Sequence, residues 1–159
     1  MEEIKYFTYL PNSKDYHEFL TFLEDTDDLI DPHISTRVNL EDYAKKVTRF
    51  ATMFVAKKGE EWIGVEAVYF NEYPEFSFST YLCIKEKYQS NSNVGMDLML
   101  MQRRFLKEHH TKGLRFDIRK SNAALLNYHL KTGGRIISEH TYPGTDIVEV
   151  KMEKIFIKD

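Results

Sequence analysis

Three runs rich in β-branched and aromatic residues follow one another between positions 51 and 84, and they constrain the fold more than any other feature of the chain. The runs read ATMFVAKKG, EEWIGVEAVYFN and EFSFSTYLCI, and turn-forming segments at Lys58-Gly59 and at 71–74 separate them. Such residues favour strands, and short turns favour antiparallel neighbours. The sequence therefore predicts a three-stranded antiparallel meander.

Helical periodicity and strand patterns alternate along the rest of the chain. The longest predicted helix begins at Val94, because apolar residues recur there at helical spacing through Phe105. We expect a helix capped by Asn12 or Ser13 and running to about residue 23, a second capped by Asn39, and one over 121–133. Further strands are predicted at 3–10, 114–118, 135–142 and 146–155. The order β-α-α-β-β-β-α-β-α-β-β is typical of an α/β (α+β mixed) domain.

Composition narrows the classes of function. A chain of 159 residues with 42% hydrophobic residues fits one domain, 1–159, and its net charge of -3 gives no basic surface for nucleic acid. The N-terminus has no signal-peptide pattern and no apolar run is long enough to span a membrane, so we expect a cytoplasmic protein with no membrane partner. Cys83 is the only cysteine, and no metal-ligand spacing is present, so no metal is expected.

The polar segment between the meander and the longest helix is a candidate anion site. It runs from Tyr88 to Gly95 and leads directly into a helix N-terminus, where the first N–H groups have no helical acceptor. Asn tolerates left-handed backbone, and a glycine lets a ligand approach closely. Ordinary polar capping of a helix explains the same residues and stays an alternative.

Read together, this loop and its flanks resemble a known family. LCIKEKYQSNSNVGMDLM is similar to the fourth strand, pyrophosphate loop and following helix of the GNAT acyltransferases, with Ile84, Tyr88, Gln89 and Gly95 at matching positions. Three residues differ from that pattern, namely Glu86, Ser90 and Asn93.

A second segment, IRKSNAALLNYHLKTGGRIISE, resembles the GNAT region that follows the fifth strand. Asn122 and Gly133 match the family pattern, whereas His129 stands at the position of the family's Tyr and Gly134 replaces a Phe. The first half of the chain resembles, more loosely, GNAT proteins found with bacterial surface-polysaccharide genes.

The resemblance implies a mixed sheet of about seven strands with four helices, whose fourth and fifth strands splay apart to admit acetyl-CoA. It implies transfer of an acetyl group to an amine by direct attack in a ternary complex, without a metal. Asn122 and the backbone of one strand, at Leu82, Cys83 and Ile84, would bind the pantetheine arm. The pyrophosphate would bind N–H groups of the following loop, at Gln89, Ser90, Asn91, Ser92, Asn93, Val94 and Gly95.

Three residues are candidates for proton transfer. Asn122 and His129 are separated by about 20° around an ideal helix, so they share one face. The resemblance then implies that His129 occupies the family's thiolate-facing position. A register slip of one residue would give that role to Tyr128 instead. Glu66 is the carboxylate within a predicted central strand, and it is a candidate base if it faces the cleft. The alternatives are a His129 exposed on the helix surface, a core Tyr128 and a Glu66 on the solvent face.

The acceptor is expected to be a small-molecule amine. The acidic run EDTDDLID at 24–31 favours a cationic acceptor or an amino sugar, and it is equally explained as a solvated loop. A GNAT-fold domain that has lost catalysis and only binds CoA or a partner is the alternative, because the loop and helix motifs are both degenerate. The oligomeric state stays open, with a homodimer among the options.

Overall fold

The computed structural model describes residues 3–90 and 92–159, and the predicted order of elements is present in it. The helices are His17–Thr26 (α1), Leu40–Phe50 (α2), Val94–Glu108 (α3) and Ala123–Lys131 (α4). The strands are Ile4–Tyr9 (β1), Thr52–Lys58 (β2), Glu61–Tyr69 (β3), Phe76–Ile84 (β4), Gly113–Arg119 (β5), Arg135–Thr141 (β6) and Val148–Ile155 (β7).

The strands form one mixed sheet in the order β1-β2-β3-β4-β5-β7-β6. Antiparallel ladders join β1 to β2, β2 to β3, β5 to β7 and β6 to β7. A parallel ladder joins β4 to β5 and runs from the pair Phe76–Gly113 to the pair Phe78–Arg115. The predicted mixed α+β architecture is thereby confirmed.

The chain divides into two compact units. The first contains residues up to Tyr69 together with Tyr81–Phe105, and it holds β1 to β3, the second half of β4, α1, α2 and most of α3. The second contains Phe70–Thr80 and Leu106–Asp159. The prediction that 1–159 is a single domain stays a prediction.

In the first unit, helices cover both faces of the sheet. One face packs against α1 and α2 around buried aromatic residues, among them Phe19, Phe22 and Tyr81. On the other face, a Cβ added at Gly64 of β3 would lie 2.8 Å from Ile84 and 2.9 Å from Val94. Gly64 therefore allows the first turn of α3 to approach the sheet closely.

The starts of the first two helices differ in how well the sequence predicts them. The Asn39 side chain accepts a hydrogen bond from the N–H of Asp42 at 2.9 Å, so the predicted cap of α2 is confirmed. The predicted cap of α1 is wrong, because that helix begins at His17 and Asn12 has a left-handed backbone with φ of 59°. The Asn12 N–H instead donates to the carbonyl of Thr48 at 2.9 Å.

In the second unit, α4 lies over a sheet of β5, β7 and β6. Its core includes Phe116 and Met152, and Gly133 ends the helix with φ of 96°. The N–H of Gly134 donates to the carbonyl of His129 at 2.7 Å, and a Cβ at Gly134 would lie 2.7 Å from that same oxygen. Glycine at 134, where the family pattern has Phe, is thus needed for this close helix ending.

Candidate functional site

The end of β4 and the loop after it form a closed turn in the first unit. The N–H of Lys85 donates to the carbonyl of Ile63 on β3, at 2.9 Å. Adjacent residues of a strand direct their backbone groups to opposite sides, so the backbone of Ile84 faces away from β3. The Gln89 side chain donates its Nε2 hydrogen to the Ile84 carbonyl at 2.8 Å. Two of the predicted cofactor contacts therefore meet each other within the loop.

The loop leads into α3 through a side-chain cap. Ser92 donates its hydroxyl to the carbonyl of Tyr88 and accepts a long hydrogen bond of 3.4 Å from the N–H of Val94. The first helical backbone bond joins the N–H of Asp97 to the carbonyl of Asn93 at 2.8 Å. Ser90 and Asn93 are exposed, and the predicted site residue Asn91 lies outside the described residues. The positive end of the α3 macrodipole is thus located at the predicted anion-binding loop.

Two lysines add positive charge to this loop. The Nζ atoms of Lys58, at the β2–β3 turn, and of Lys87 each lie 5.7 Å from the centre of the Tyr88 ring. Lys85, by contrast, pairs with Asp25 at 3.6 Å and Glu61 at 3.2 Å. The sequence does not mark Lys58 as a residue of this site, because only the fold brings the β2–β3 turn close to the loop.

The strand residues predicted to flank pantetheine differ in exposure. Leu82 is 37% exposed, whereas Cys83 is 7% exposed. Burial raises the pKa of the Cys83 thiol, so this side chain is a neutral thiol at pH 7. The Tyr81 hydroxyl lies 3.0 Å from that of Thr26 at the end of α1. The side chains of Tyr81 and Cys83 therefore belong to the core beneath α1, which leaves the strand backbone for ligand contacts.

Glu66 lies in the interior of the first unit. It is 2% exposed and pairs across the sheet with Phe54, whose ring packs on Phe105 of α3 at 5.6 Å. It is two residues from Gly64, so its side chain is on the sheet face that α3 covers. The alternative of a solvent-facing Glu66 is therefore wrong.

In the second unit, Asn122 starts α4. Its side chain accepts a hydrogen bond from the N–H of Leu125 at 3.3 Å, and its backbone, with φ of -85° and ψ of 71°, is not helical. Asn122 is exposed. The side-chain oxygen of this predicted pantetheine contact therefore acts as an N-cap in this structure.

His129 and Tyr128 are close to each other near the end of α4. His129 is 8% exposed and its ring centre lies 4.6 Å from that of Phe116, so the alternative of an exposed imidazole is wrong. Tyr128 is in edge contact with His129 at 5.1 Å. The Lys154 Nζ lies 5.2 Å from the centre of the Tyr128 ring and donates to the Thr132 hydroxyl at 2.7 Å. The unit therefore places a buried imidazole, a phenol and a buried ammonium group in one cluster.

The acidic segment after α1 is partly engaged within its own loop. Asp27 accepts hydrogen bonds from the N–H of Ser35, at 3.1 Å, and from its hydroxyl. Burial alone would raise the pKa of Asp27, but these hydrogen bonds lower it below its usual value. His33 lies 3.7 Å from the same carboxylate. Asp27 therefore stabilises the loop.

No helix in residues 3–90 and 92–159 is both long and apolar enough to cross a membrane. No group of three or more His, Cys, Asp or Glu side chains there is arranged to hold a metal ion.

Comparisons with known proteins define the fold. No protein-family model matches the sequence, and no curated protein matches it. The structure is similar to the ribosomal-protein-S18-alanine N-acetyltransferase of Escherichia coli, with a TM-score of 0.75 and 13% identity over 96% of this chain and 94% of that chain. A GNAT family acetyltransferase from Elizabethkingia anophelis, solved with acetyl-CoA bound, gives a TM-score of 0.62 and 17% identity over 96% and 98% of the two chains.

A third similar structure overlaps with a smaller part of this chain. A protein from Bacillus anthracis, proposed to be a streptothricin acetyltransferase and solved with acetyl coenzyme A, has 18% identity and a TM-score of 0.55. That match covers 68% of this chain and 64% of the other, which is less than two thirds of it. Together with the sheet order, these likenesses show that the chain has the fold of the GNAT acetyltransferases.

Proposed function

We propose that this protein is an acetyltransferase that moves the acetyl group of acetyl-CoA to the amine of a small molecule. The loop ahead of α3 and the first N–H groups of that helix bind the pyrophosphate. As the family resemblance implies, the backbone of β4 at Leu82 to Ile84 binds the pantetheine arm. The amine attacks the thioester carbonyl directly, and the enzyme removes the amine proton and protonates the leaving thiolate.

The observation that carries this proposal is the loop between Ile84 and Val94. It connects a strand edge to the positive end of a 15-residue helix, and Lys58 and Lys87 lie beside it. A helix N-terminus with nearby ammonium groups favours a diphosphate. Proteins of the same fold have been solved with acetyl-CoA bound, which supports the same ligand here.

Acetyl-CoA binding is the first test. A ligand at a hundredfold excess over its Kd stabilises the native state by about 2.7 kcal/mol, so acetyl-CoA should raise the melting temperature. Gly95→Asp places a negative side chain beside the diphosphate, so it should abolish this shift while the fold survives. Gly95→Asn is the matched control for size without charge. Unchanged CoA affinity in a folded Gly95→Asp variant would remove the loop from the proposal.

Turnover separates the two candidate functions. Acetyl-CoA-dependent release of thiol with an amine acceptor supports the acetyltransferase, whereas tight binding of CoA without turnover supports a domain that binds CoA but has lost catalysis. The departures at Ser90 and Asn93 in the loop favour the domain without catalysis. The contact between the buried His129 and the half-buried Tyr128 favours the acetyltransferase.

For the acceptor, we propose a cationic small molecule, with amino sugars among the first compounds to test. The net charge of -3 and the acidic segment 24–31 support this choice. A panel of amino sugars, amino-nucleotide sugars, polyamines and amino acids should contain a substrate. Acetylation of a protein with every small amine inactive would reverse this ranking.

A further inference from the structure

One contact ties the first turn of α3 to the edge strand of the sheet. The Tyr6 hydroxyl of β1 donates to the Asp97 Oδ2 atom at 2.7 Å, across 91 positions of sequence. Burial, followed by this hydrogen bond and the charge of Asp97, raises the pKa of Tyr6, so the phenol stays protonated and remains the donor. The partner of the Asp97 carboxylate is therefore fixed across the physiological pH range.

The position of Asp97 matters because it is the acidic residue in the first turn of α3. A carboxylate there is attracted by the same helix dipole and the same N–H groups that bind an anionic ligand. Left free to rotate, its side chain would compete with a pyrophosphate for those groups and would repel it. A helix that binds a diphosphate at its N-terminus therefore needs the Asp97 carboxylate to be held away from its first N–H groups.

The fold provides such a restraint. In the sheet order, β1 lies three strands from β4, which is roughly 14 Å at the usual spacing between strands. The loop that binds the pyrophosphate in our proposal follows β4, whereas Tyr6 draws the Asp97 carboxylate toward β1. The hydrogen bond thus directs the negative charge toward the β1 edge of the sheet, away from β4 and the loop that follows it.

We infer that Tyr6 is a positioning residue of the cofactor site: its hydroxyl holds the Asp97 carboxylate away from the N-terminal amides of α3, which leaves them for the CoA diphosphate. The inference rests on the proposed function. Tyr6 itself does not touch the cofactor, and its effect is exerted through the charge of Asp97.

The effect should be modest and sensitive to salt. A carboxylate released a few ångströms from a diphosphate, in a partly solvated site, weakens binding by roughly three- to tenfold. Exposed charges are screened over about 10 Å at 0.1 M salt, so the difference should shrink as ionic strength rises. A role in packing alone would not show this salt dependence.

The test is a double-mutant cycle on CoA binding, measured by calorimetry at about 0.02 M and about 0.5 M salt. Tyr6→Phe keeps the ring and should weaken CoA binding at low salt, with a smaller loss at high salt. Asp97→Asn should bind CoA at least as tightly as the natural protein. In the double variant the loss caused by Tyr6→Phe should disappear, because no charge remains to be restrained.

Three outcomes overturn the inference. Equal CoA affinity of Tyr6→Phe and the natural protein removes any role for the hydroxyl, while the proposed function stands. A double variant as weak as Tyr6→Phe alone shows that Tyr6 acts by packing and not through Asp97. Failure of the natural protein to bind CoA refutes the proposed function, and this inference falls with it. Circular dichroism and melting of each variant confirm that it is folded.

Discussion

Gly64→Ala tests the close packing between β3 and α3, on which the position of the candidate cofactor loop depends. A methyl group at position 64 would lie 2.8 Å from Ile84 Cδ1, 2.9 Å from Val94 Cγ1 and 3.2 Å from Leu98 Cδ1. The first two distances are shorter than carbon atoms tolerate and the third is tight, so Ile84 and Val94 have to move and Leu98 has to give slightly. Two of those side chains, on Ile84 and Val94, flank the loop.

The expected cost follows from this geometry. Inserting a methyl group into a well-packed core costs about 1–3 kcal/mol, and all three contacts are to side-chain ends, which adjust more easily than backbone. The backbone of Gly64 is not left-handed, so alanine itself is unstrained and recovers about 0.4–1 kcal/mol from the unfolded state. The net loss should be about 1–2 kcal/mol, or roughly 3–8 °C in melting temperature for a chain of this size.

Urea unfolding and calorimetry with CoA provide the assay. Gly64→Ala should lower the unfolding midpoint with an unchanged slope, and should weaken CoA binding because the first turn of α3 is displaced. Gly95→Ala is the matched control. Among the residues that the structure describes, its methyl group would meet only Ile84, at 3.8 Å, so the fold should be as stable as that of the natural protein or more so.

The two variants therefore separate packing from ligand access. Gly95→Ala should weaken CoA binding without loss of stability, because in the proposed site its methyl group would stand where the diphosphate approaches the helix. A Gly64→Ala protein as stable as the natural one, with the same slope, would refute the packing argument. Unchanged CoA affinity in both variants would instead count against the loop as the cofactor site.

The remaining predictions concern the candidate catalytic groups and the ion pair between the buried Glu153 and the exposed Arg135. General acid catalysis is worth about 10²–10⁴ in rate, so His129→Ala should lower turnover at least about tenfold with little change in acetyl-CoA affinity. If His129→Ala leaves turnover unchanged and Tyr128→Phe abolishes it, the role belongs to Tyr128. Glu66→Gln keeps the shape of the buried side chain, so it should abolish turnover in a folded protein only if Glu66 is the base. Burial alone would raise the pKa of Glu153, but hydrogen bonds from the guanidinium groups of Arg135 and Arg115 lower this pKa below 4.5. The lowered pKa means that ionised Glu153 stabilises the folded state above pH 4.5, and this contribution is lost as the pH falls through the lowered pKa. Arg135→Met should therefore make the free energy of unfolding depend less on pH in that range.

Much of the fold and part of the site are predictable from local pattern. The meander, the stripe that begins at Val94 and the cap at Asn39 are each encoded within a few residues, and the structure contains all three. The strand–loop–helix order marks the loop as the candidate anion site for the same reason. These features depend on periodicity and on capping chemistry, which act between near neighbours in the chain.

Contacts between distant segments decided the rest. Sequence order does not show that β7 lies between β5 and β6, nor that Thr48 accepts the Asn12 N–H and fixes a turn where a helix cap was predicted. Alternation along β3 assigns Glu66 to one of two faces, but only the packing of α3 buries that face. The contact of Tyr6 with Asp97 spans 91 positions and is likewise invisible in the sequence. A local pattern specifies which element forms, whereas burial and charge at a site depend on which elements cover it, and that is fixed only when the chain has folded.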